Sequence, residues 1–348
     1  MASSVVPLSE VSADVLREFL GRMGMPREVA DWRYLDSSFN RGRNRGFAWL
    51  RHHRMEGMIG LIPFRICGTG QGRDVNWSCD WMLADPISNP GMGIILLRRA
   101  IESSINLFAL GGTENTRRLL PRIANSTIAD AGVAMHLPLR SGAILRRLER
   151  RGMLGRLPTP RFLYMIPLRW APRYGRSPEI RTEMGLSRQI APLLQGEHGE
   201  GWHPCYDFAY LDWQVGRSPL LRCWTSFSSP TGEPRAAAVY WRPAASSDFW
   251  RLAVWYRNSE VDHLDGVIRQ AVAEIYRLGG MAVSTIISRL DVEAQATLRS
   301  AGFLTFRRRR PLYVCASEPS AATGELRRLS YLDSDLSYIG SRHEGWAY

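Results

Sequence analysis

The chain has 348 residues, of which 45% are hydrophobic and 22% are charged. It is long enough for two domains and has the composition of an ordinary globular protein. No apolar run approaches the roughly 18 residues that a membrane span needs, and the start, residues 1–11, lacks a basic region followed by an apolar one. We therefore expect no membrane partner, no signal peptide and a cytoplasmic location.

The net charge of +12 comes from arginine, because the sequence contains no lysine. Replacement of every Lys by Arg is typical of a GC-rich coding bias, so the charge is weak support for nucleic-acid binding, although it suits an anionic ligand. The absence of lysine excludes a Walker P-loop and a pyridoxal Schiff base. The five cysteines are scattered and form no CxxC pair, which predicts free thiols in a reducing compartment.

The first part of the chain alternates between strand and helix patterns. Two helices are predicted within residues 10–36, and "GTGQGRD" (68–74) is predicted to be a hairpin turn, although GxGxG can also cradle phosphate. The other predicted elements are strands at 47–53, 57–66 and 75–83, a helix near 94–104, a strand at 105–112, a helix from a Thr113 cap to 123, and a strand at 131–140.

Residues 141–180 are rich in Arg, Pro and Gly, which predicts a linker. The same order of patterns then returns: strands at 219–227, 235–243 and 249–257, a helix at 260–280, a strand at 282–288, a helix at 291–303 and a strand at 304–314. Strand–helix–strand units with alternating central strands predict an α/β (α+β) fold with mixed, largely antiparallel sheets flanked by helices.

A short repeat suggests that the chain arose by doubling of a smaller unit. "YLDSSF" begins at Tyr34 and "YLDWQV" at Tyr210, and an aspartate, Asp31 or Asp207, lies three residues before each tyrosine. The offset between the two tyrosines is 210 − 34 = 176 residues, about one domain length. We therefore predict two domains, residues 1–160 and 161–348.

The segment from 77 to 102 carries the strongest functional signal. A predicted strand ends near Leu83, a Pro/Gly loop follows, and a helix begins with Gly91 and Gly93 in its first turn. Glycine lets a backbone approach a ligand closely, and the free N–H groups at a helix start form an anion site. The physics alone predicts a phosphate contact between Gly91 and Ile94, with close helix packing as the alternative.

This segment resembles motif A of the GNAT superfamily of N-acyltransferases, in which a strand, the pattern V-x-P-x-x-R/Q-x-x-G-x-G/A and a helix follow one another. Gly91 and Gly93 match the two glycines, whereas Ser88 replaces the usual Arg or Gln and Pro90 removes a loop N–H. The resemblance implies that the loop binds the pyrophosphate of acyl-CoA, with Asn115 at the start of the next helix. The residues implied in acyl-CoA binding are Leu83, Ser88, Asn89, Gly91, Met92, Gly93, Ile94 and Asn115.

The resemblance extends over nearly the whole chain as a double GNAT protein. Domain 1–160 would bind the acyl donor, and domain 161–348 would be a degenerate copy that shapes the acceptor pocket. In the second copy Leu264 stands where Gly93 is, and Asp262 and Asp265 flank it. Two carboxylates at a helix start repel a pyrophosphate, so we expect one CoA ligand per chain. A charged residue at Gly93 is expected to prevent binding and leave the fold intact.

GNAT chemistry is direct acyl transfer, in which a deprotonated amine attacks the thioester. Candidate catalytic bases are Asp80 and Asp85, with a structural hydrogen-bond partner and a turn residue as their alternatives. Cys79 as a nucleophile is a weaker alternative, and the general acid is unassigned. "GEHGEGWH" (196–203) has His and Glu side chains, but its glycines predict a loop, so we expect no metal.

These observations predict an N-acyltransferase that moves an acyl group from acyl-CoA, acetyl-CoA or longer, to a primary amine of a small molecule or peptide. One alternative is a donor other than CoA, either an acyl-carrier protein or aminoacyl-tRNA, because the charge of +12 suits an acidic donor. The other is a degenerate GNAT-fold binding module, which Ser88 and Pro90 keep open.

Overall fold

The structure is a computed structural model. It describes residues 3–36, 39, 42–68, 71–89, 91–110, 114–150, 161–168, 179–195, 202–230, 232–244, 248–257, 261–316, 326, 329–330 and 332. Among the described helices, none combines the length and the apolar character that crossing a bilayer requires.

The strands within the described residues belong to one sheet of mixed sense. They are β1 (Ser3–Pro7), β2 (Gly46–Arg51), β3 (Arg54–Gly68), β4 (Gln71–Leu83), β5 (Asn106–Leu110), β6 (Ser126–Pro138), β7 (Ile180–Met184), β8 (His203–Cys205), β9 (Leu221–Ser228), β10 (Ala236–Pro243), β11 (Phe249–Tyr256), β12 (Ala282–Ser288) and β13 (Leu304–Ala316). Most neighbouring pairs are antiparallel, and β4–β5 and β11–β12 are parallel.

The described α-helices are α1 (Ala13–Arg22), α2 (Arg27–Ala30), α3 (Met92–Glu102), α4 (Glu114–Leu119), α5 (Ser141–Arg150), α6 (Ala191–Gln195), α7 (Phe208–Leu211), α8 (Val261–Arg277) and α9 (Val292–Ser300). Short 3-10 turns lie at Leu8–Glu10, Leu120–Arg122, Arg161–Met165 and Arg188–Ile190, and π-helical turns at Asp31–Leu35 and Asp212–Gly216. The predicted α/β class is confirmed. Residues 141–150, predicted as linker, instead form α5, because an amphipathic pattern runs through their arginines.

The predicted hairpin around 68–74 is confirmed, since β3 and β4 pair antiparallel from Gly57↔Leu83 to Gly68↔Gln71. Of the connecting residues, 69 and 70 lie outside the described part. The strands are longer than predicted because the cross-strand ladder continues past the apolar residues that mark a strand in the sequence.

The sheet runs in the order β1-β2-β3-β4-β5-β13-β6-β12-β11-β10-β9-β7, and β8 pairs with β3. Strand β13 belongs to the second part of the chain, but it lies between β5 and β6, which belong to the first part. Contrary to the expectation of two sheets, the described strands of segments 1–160 and 161–348 form one, because β13 and the pairing of β6 with β12 join them at its middle. The division into two domains at residue 160 stays a prediction.

The order of elements is the same on both sides of this middle. The series β2-β3-β4-α3-β5-α4-β6 in the first part corresponds to β9-β10-β11-α8-β12-α9-β13 in the second. In each series the third strand is antiparallel to the strand before it and parallel to the next. The similarity agrees with an origin by doubling, which stays a prediction.

The two π-helical turns meet across this middle. The indole N–H of Trp32 donates to the carbonyl oxygen of Trp213 at 2.7 Å, and the Trp213 indole donates to the Trp32 oxygen at 3.0 Å. Both turns begin with Asp-Trp, and the offset between the tryptophans is 181 residues. The "YLD" match, with its offset of 176, was therefore five residues out of register with this contact.

Each side of the sheet carries its own packing. On one side, called the turn face, α1 and both π-helical turns cover a large shared core that includes Ile62, Trp77 and Trp241. The opposite side, called the helix face, holds two smaller clusters, one under α3 and one under α8. Successive residues of β3 and β10 alternate between the two faces, as strand geometry requires.

Two of the five cysteines are bonded, which corrects the expectation of free thiols. Cys67 at the end of β3 and Cys205 in β8 form a disulfide with a Cα–Cα distance of 5.7 Å. The pairing of β3 with β8 brings them together across 138 residues of sequence, a contact that spacing alone does not reveal. The remaining cysteines, Cys79, Cys223 and Cys315, are buried free thiols as expected.

Loss of this disulfide is expected to lower the free energy of unfolding by about 2–5 kcal/mol, because it closes a long loop in the unfolded chain. Cys67→Ser and the double variant Cys67→Ser/Cys205→Ser should show the same loss in urea titrations, since either change removes the whole bond. A reductant should destabilise the wild type and leave both variants unchanged. Additive losses in the double variant would contradict the bond.

Candidate active site

The predicted ligand loop is held by its own aspartate. The Oδ1 atom of Asp85 accepts the backbone N–H groups of Ile87 at 3.2 Å and Ser88 at 3.0 Å, and the Asn89 side-chain amide donates to the Asp85 carbonyl at 3.3 Å. These hydrogen bonds, from Ser88 first, lower the pKa of the exposed Asp85 carboxyl. Asp85 therefore acts as the residue that closes the turn after β4, which was its alternative reading.

Helix α3 begins immediately after this turn. The N–H of Met92 donates to Asn89 O at 3.2 Å, and the N–H of Ile95 donates to Gly91 O at 3.2 Å. The first-turn N–H groups, including those of Gly93 and Ile94, have no acceptor further back in the helix. Gly91 is exposed and has an ordinary φ of −79°, and none of the described residues comes within 4 Å of where a Cβ would stand. The helix start therefore has open space beside it.

Gly93 has a packing role as well. A Cβ at this position would lie 3.3 Å from the indole nitrogen of Trp81, which is tighter than ordinary contact. The Trp81 ring packs with the cluster under α3 that also contains Leu83, the last residue of β4. A large residue at Gly93 would displace Trp81, so the expectation that a charge there leaves the fold intact does not suit this geometry. Gly91 is the better position for that test.

A β-bulge in β4 separates Asp80 from Trp81. The register passes from Gly60↔Cys79 to Met58↔Met82, so Asp80 and Trp81 together stand opposite one residue of β3. Asp80 has a left-handed φ of 41°. A bulge of this kind leaves one residue outside the ladder and re-aims side chains. Here Trp81 packs on the helix face, while Asp80 contacts residues of the turn face.

Asp80 belongs to a buried polar cluster with the first π-helical turn. Its Oδ2 atom lies 2.5 Å from the Nε of Arg33 and accepts the Tyr34 hydroxyl at 2.5 Å. Arg33 is fully buried and the Asp80 side chain is 12% exposed. Gly60 permits this arrangement, because a Cβ there would collide with the Tyr34 hydroxyl and with Cys79. The cluster fixes the Asp80 carboxylate in one orientation.

The Tyr34 hydroxyl stays protonated in this setting. Burial, followed by the charge of Asp80, raises the pKa of Tyr34 well above its usual value. At neutral pH the side chain is therefore a hydrogen-bond donor to Asp80. Arg33 and Tyr34 were missed in the sequence as site residues, although Tyr34 was noted as part of a repeat. The signal was an arginine and a tyrosine inside the largely buried turn "DWRYL".

Strands β4 and β5 separate from each other at the end of β4 that leads to α3. Their parallel pairing is limited to Asn76↔Leu107 and Trp77↔Phe108, whereas β4 continues to Leu83. The Ser78 hydroxyl still donates to the Phe108 carbonyl at 3.3 Å, but beyond Trp77 the described residues form no further β4–β5 pair. The start of α3 lies at this carboxyl end of β4, where ligands commonly bind in sheets with parallel strands.

The second half of the sheet shares the limited pairing of its parallel strands but not the bulge. Strand β11 pairs with β12 from Phe249↔Ala282 to Leu252↔Thr285 and continues to Tyr256, while its pairing with β10 is in continuous register. Near the start of α8, Leu264 is fully buried and Asp265 forms an ion pair with Arg269 at 2.5 Å, while Asp262 is exposed. Asp262 stands where the first half has Gly91, and Leu264 stands where it has Gly93.

Several residues that the sequence singled out lie at the border of the described part of the chain or outside it. Asn115 lies in the first turn of α4, as expected from its position after β5, and the predicted cap Thr113 lies outside the described residues, as does Pro90. Of the segment 196–203, only its last two residues are described, with His203 buried in β8.

A cavity of about 530 Å³ lies on the turn face, beyond the Asp80 cluster along β3. Its aromatic walls are Phe39, Phe64, Tyr206 and Tyr210, and the Cys67–Cys205 disulfide lies at its margin. Both parts of the chain contribute to it. The charged side chains Arg43, Arg65, Asp74 and Asp207 also line it, so the cavity combines aromatic walls with charged groups that can orient a small molecule.

Comparison with solved structures identifies this arrangement. A GCN5-related N-acetyltransferase from Anabaena variabilis superposes with a TM-score of 0.55 at 10% identity, covering 90% of this chain and 72% of that one. The chain has the GNAT fold. A probable N-acyltransferase from Enterococcus faecalis gives a TM-score of 0.55 at 10% identity, covering 90% of this chain and 73% of that one.

A third GNAT-fold match is Saccharomyces cerevisiae N-myristoyltransferase with bound myristoyl-CoA, with a TM-score of 0.53 at 9% identity, covering 93% of this chain and 83% of the yeast chain. No family model matches the sequence, and no curated protein does. The similarity to these solved structures therefore lies in the fold and not in the sequence. It covers nearly the whole of this chain.

Proposed function

We propose that this chain transfers an acyl group from acyl-CoA to an amine. The observation that carries the proposal is the combination of a bulged β4, a gap between β4 and β5, and a helix start with open space at Gly91. The fold supports it, since its neighbours include a transferase holding myristoyl-CoA. The pyrophosphate would contact the turn from Ser88 and Asn89 to Met92, Gly93 and Ile94, where the helix dipole favours negative charge.

The thioester would then lie in the gap beside Leu83 and the bulge. A bulge leaves a backbone N–H of β4 outside the hydrogen-bonded ladder, and a free N–H can polarise the thioester carbonyl by donating to its oxygen. Asp80 takes a proton from the incoming ammonium group. The amine nitrogen bonds to the carbonyl carbon and the carbon–sulfur bond breaks. The nitrogen then loses its second proton, which the CoA thiolate takes up. Arg33 and Tyr34 position the Asp80 carboxylate for this step.

The acceptor would enter from the turn face, through the cavity shared by both parts of the chain. We assign donor binding to the part before residue 160 and acceptor binding mainly to the cavity wall supplied by Tyr206 and Tyr210. The acceptor class at this level is a small-molecule or peptide amine. We propose a cytoplasmic location, where acyl-CoA is available, although a disulfide such as Cys67–Cys205 is uncommon in that reducing compartment.

The test is binding and turnover with a panel of CoA thioesters. A ligand that binds the folded chain raises its free energy of unfolding by mass action, by about 2.7 kcal/mol at a ligand concentration of one hundred times Kd. The melting temperature rises as a result. Calorimetry should give a stoichiometry near one, because the start of α8 presents carboxylates instead of glycines. A stoichiometry of two would contradict this asymmetry. If an acyl-carrier protein or tRNA stabilises the chain and none of the CoA thioesters does, the donor is that carrier and not CoA.

A further inference from the structure

A buried arginine beside the proposed active site has hydrogen-bond donors that the described residues do not use. Arg45 is 3% exposed, and its Nε donates to the Leu61 carbonyl at 3.1 Å. The Leu61 N–H in turn donates to Arg45 O at 2.8 Å, so the residue is fixed at both its backbone and its side chain. Its Nη1 and Nη2 atoms have no hydrogen-bond partner among the residues that the structure describes.

The surroundings of Arg45 supply aromatic contact but no acceptor for these two atoms. The guanidinium carbon lies 4.8 Å from the ring centre of Trp213 and 5.3 Å from that of Phe39. The two rings are stacked on each other at 4.5 Å. Cation–π contact favours the positive charge but does not satisfy N–H donors, and a buried donor without an acceptor is costly.

The charges near Arg45 do not balance. Arg33 pairs with Asp80, so in this described cluster two guanidinium groups accompany one carboxylate. Burial lowers the pKa of Arg45 to about 10, an effect to which the charge of Arg33 adds. The group therefore still carries its charge at neutral pH. A buried charge of this kind is normally matched by a counter-charge, so an anion is the expected partner.

Phe39 connects Arg45 to the cavity on the turn face. Arg45 is not one of the described residues that line the cavity, but the Phe39 ring, over which its guanidinium lies, is one of them. Contact between an anionic group in the cavity and the two Nη atoms therefore requires the Phe39 ring to turn aside. The Asp80 carboxylate, the proposed proton acceptor, belongs to the same buried cluster through Arg33 and Tyr34.

We propose that Arg45 binds a carboxylate of the acceptor, which makes the acceptor an amino acid with an apolar side chain. This inference rests on the proposed acyl transfer. A planar guanidinium with two adjacent donors suits a carboxylate in bidentate geometry. The aromatic cavity walls hold the apolar side chain, and the amine, a few bonds from the carboxylate, lies toward Asp80.

The experiment compares amino acids with their carboxamides as acceptors, measured by the release of CoA thiol. Wild-type protein should prefer the acid by at least tenfold in kcat/KM, equivalent to about 1.4 kcal/mol. Arg45→Met should lose this preference, and Arg45→Lys should retain part of it. The matched control is Arg269→Met, which removes a guanidinium that is ion-paired with Asp265 at 2.5 Å and does not line the cavity, and it should keep the preference. Equal use of acid and amide by the wild type would overturn the proposal.

A second readout does not depend on acyl transfer. The probe is 3-phenylpropionate, which has the carboxylate and the ring but no amine, and its binding is followed by calorimetry. It should bind the wild type and Arg269→Met with similar affinity, and Arg45→Met at least tenfold more weakly. The ligand-free melting temperature of Arg45→Met should not fall, since an unmatched buried charge is removed; a clear fall together with unchanged probe binding would make Arg45 structural. If no thioester is turned over but the probe binds through Arg45, the proposed function fails and the carboxylate site stands.

Discussion

Gly91→Glu is expected to abolish CoA binding and leave the fold unchanged. The backbone at Gly91 has a φ that any residue adopts, and no atom of the described residues lies within 4 Å of the added Cβ. The new carboxylate would stand at the start of α3, where it occupies the positive end of the helix and repels a pyrophosphate by about 1 kcal/mol or more per charge pair. We expect the dissociation constant to rise at least a hundredfold in calorimetry, about 3 kcal/mol.

The control for this change is Gly91→Ala, which adds the same Cβ without a charge and should bind CoA nearly as the wild type does. Asp262→Asn, at the start of α8, tests the other half. Asp262 is exposed, and its replacement should leave both affinity and stoichiometry unchanged. Normal CoA affinity in Gly91→Glu would place the pyrophosphate elsewhere and refute the assignment of the loop.

Asp80→Asn is expected to reduce both turnover and stability. Loss of a positioned proton acceptor typically lowers kcat by 10²–10⁴-fold. The same change deprives the fully buried Arg33 of its carboxylate, and removing one partner of a buried ion pair costs about 3–5 kcal/mol of unfolding free energy. Urea unfolding measures the second effect, and kcat measured well below the melting temperature isolates the first.

The matched control is Asp85→Asn at the second predicted base. Asparagine forms the same turn hydrogen bonds as aspartate, so activity and stability should stay close to those of the wild type. Tyr34→Phe keeps the Asp80 charge and removes one donor to it, so it should reduce kcat less than Asp80→Asn does. Loss of activity in Asp85→Asn with normal activity in Asp80→Asn would exchange the roles of the two carboxylates.

Local patterns in the sequence located part of this site. The turn at Asp85, the helix start at Gly91 and the strand that carries Asp80 all depend on contacts between near neighbours, which spacing and composition reveal. The partners of Asp80 do not, since Tyr34 lies 46 residues away and reaches it only through the fold. The bulge at Asp80 also has no sequence signature, because any short polar residue can occupy it.

The long-range contacts explain the other differences. The Cys67–Cys205 bond spans 138 residues, and Arg45 becomes a buried charge only after Phe39 and Trp213 pack against it. The repeat was detected from "YLD", but the contact at the middle of the sheet uses the Asp-Trp pair that begins each π-helical turn. A three-letter match cannot distinguish these two registers, whereas the reciprocal hydrogen bonds of Trp32 and Trp213 can.

The position of β13 has a consequence for the order in which the chain is made. During synthesis the amino-terminal part leaves the ribosome first, with β5 and β6 lacking the strand that separates them in the finished sheet. Their open edges stay available to other chains until residues 304–316 emerge. Pairing of β13 with β5 joins residues about 200 apart in sequence, which is a slow, non-local step. Strand β13 is translated after every other described strand, so the sheet around the proposed donor site stays incomplete until it emerges.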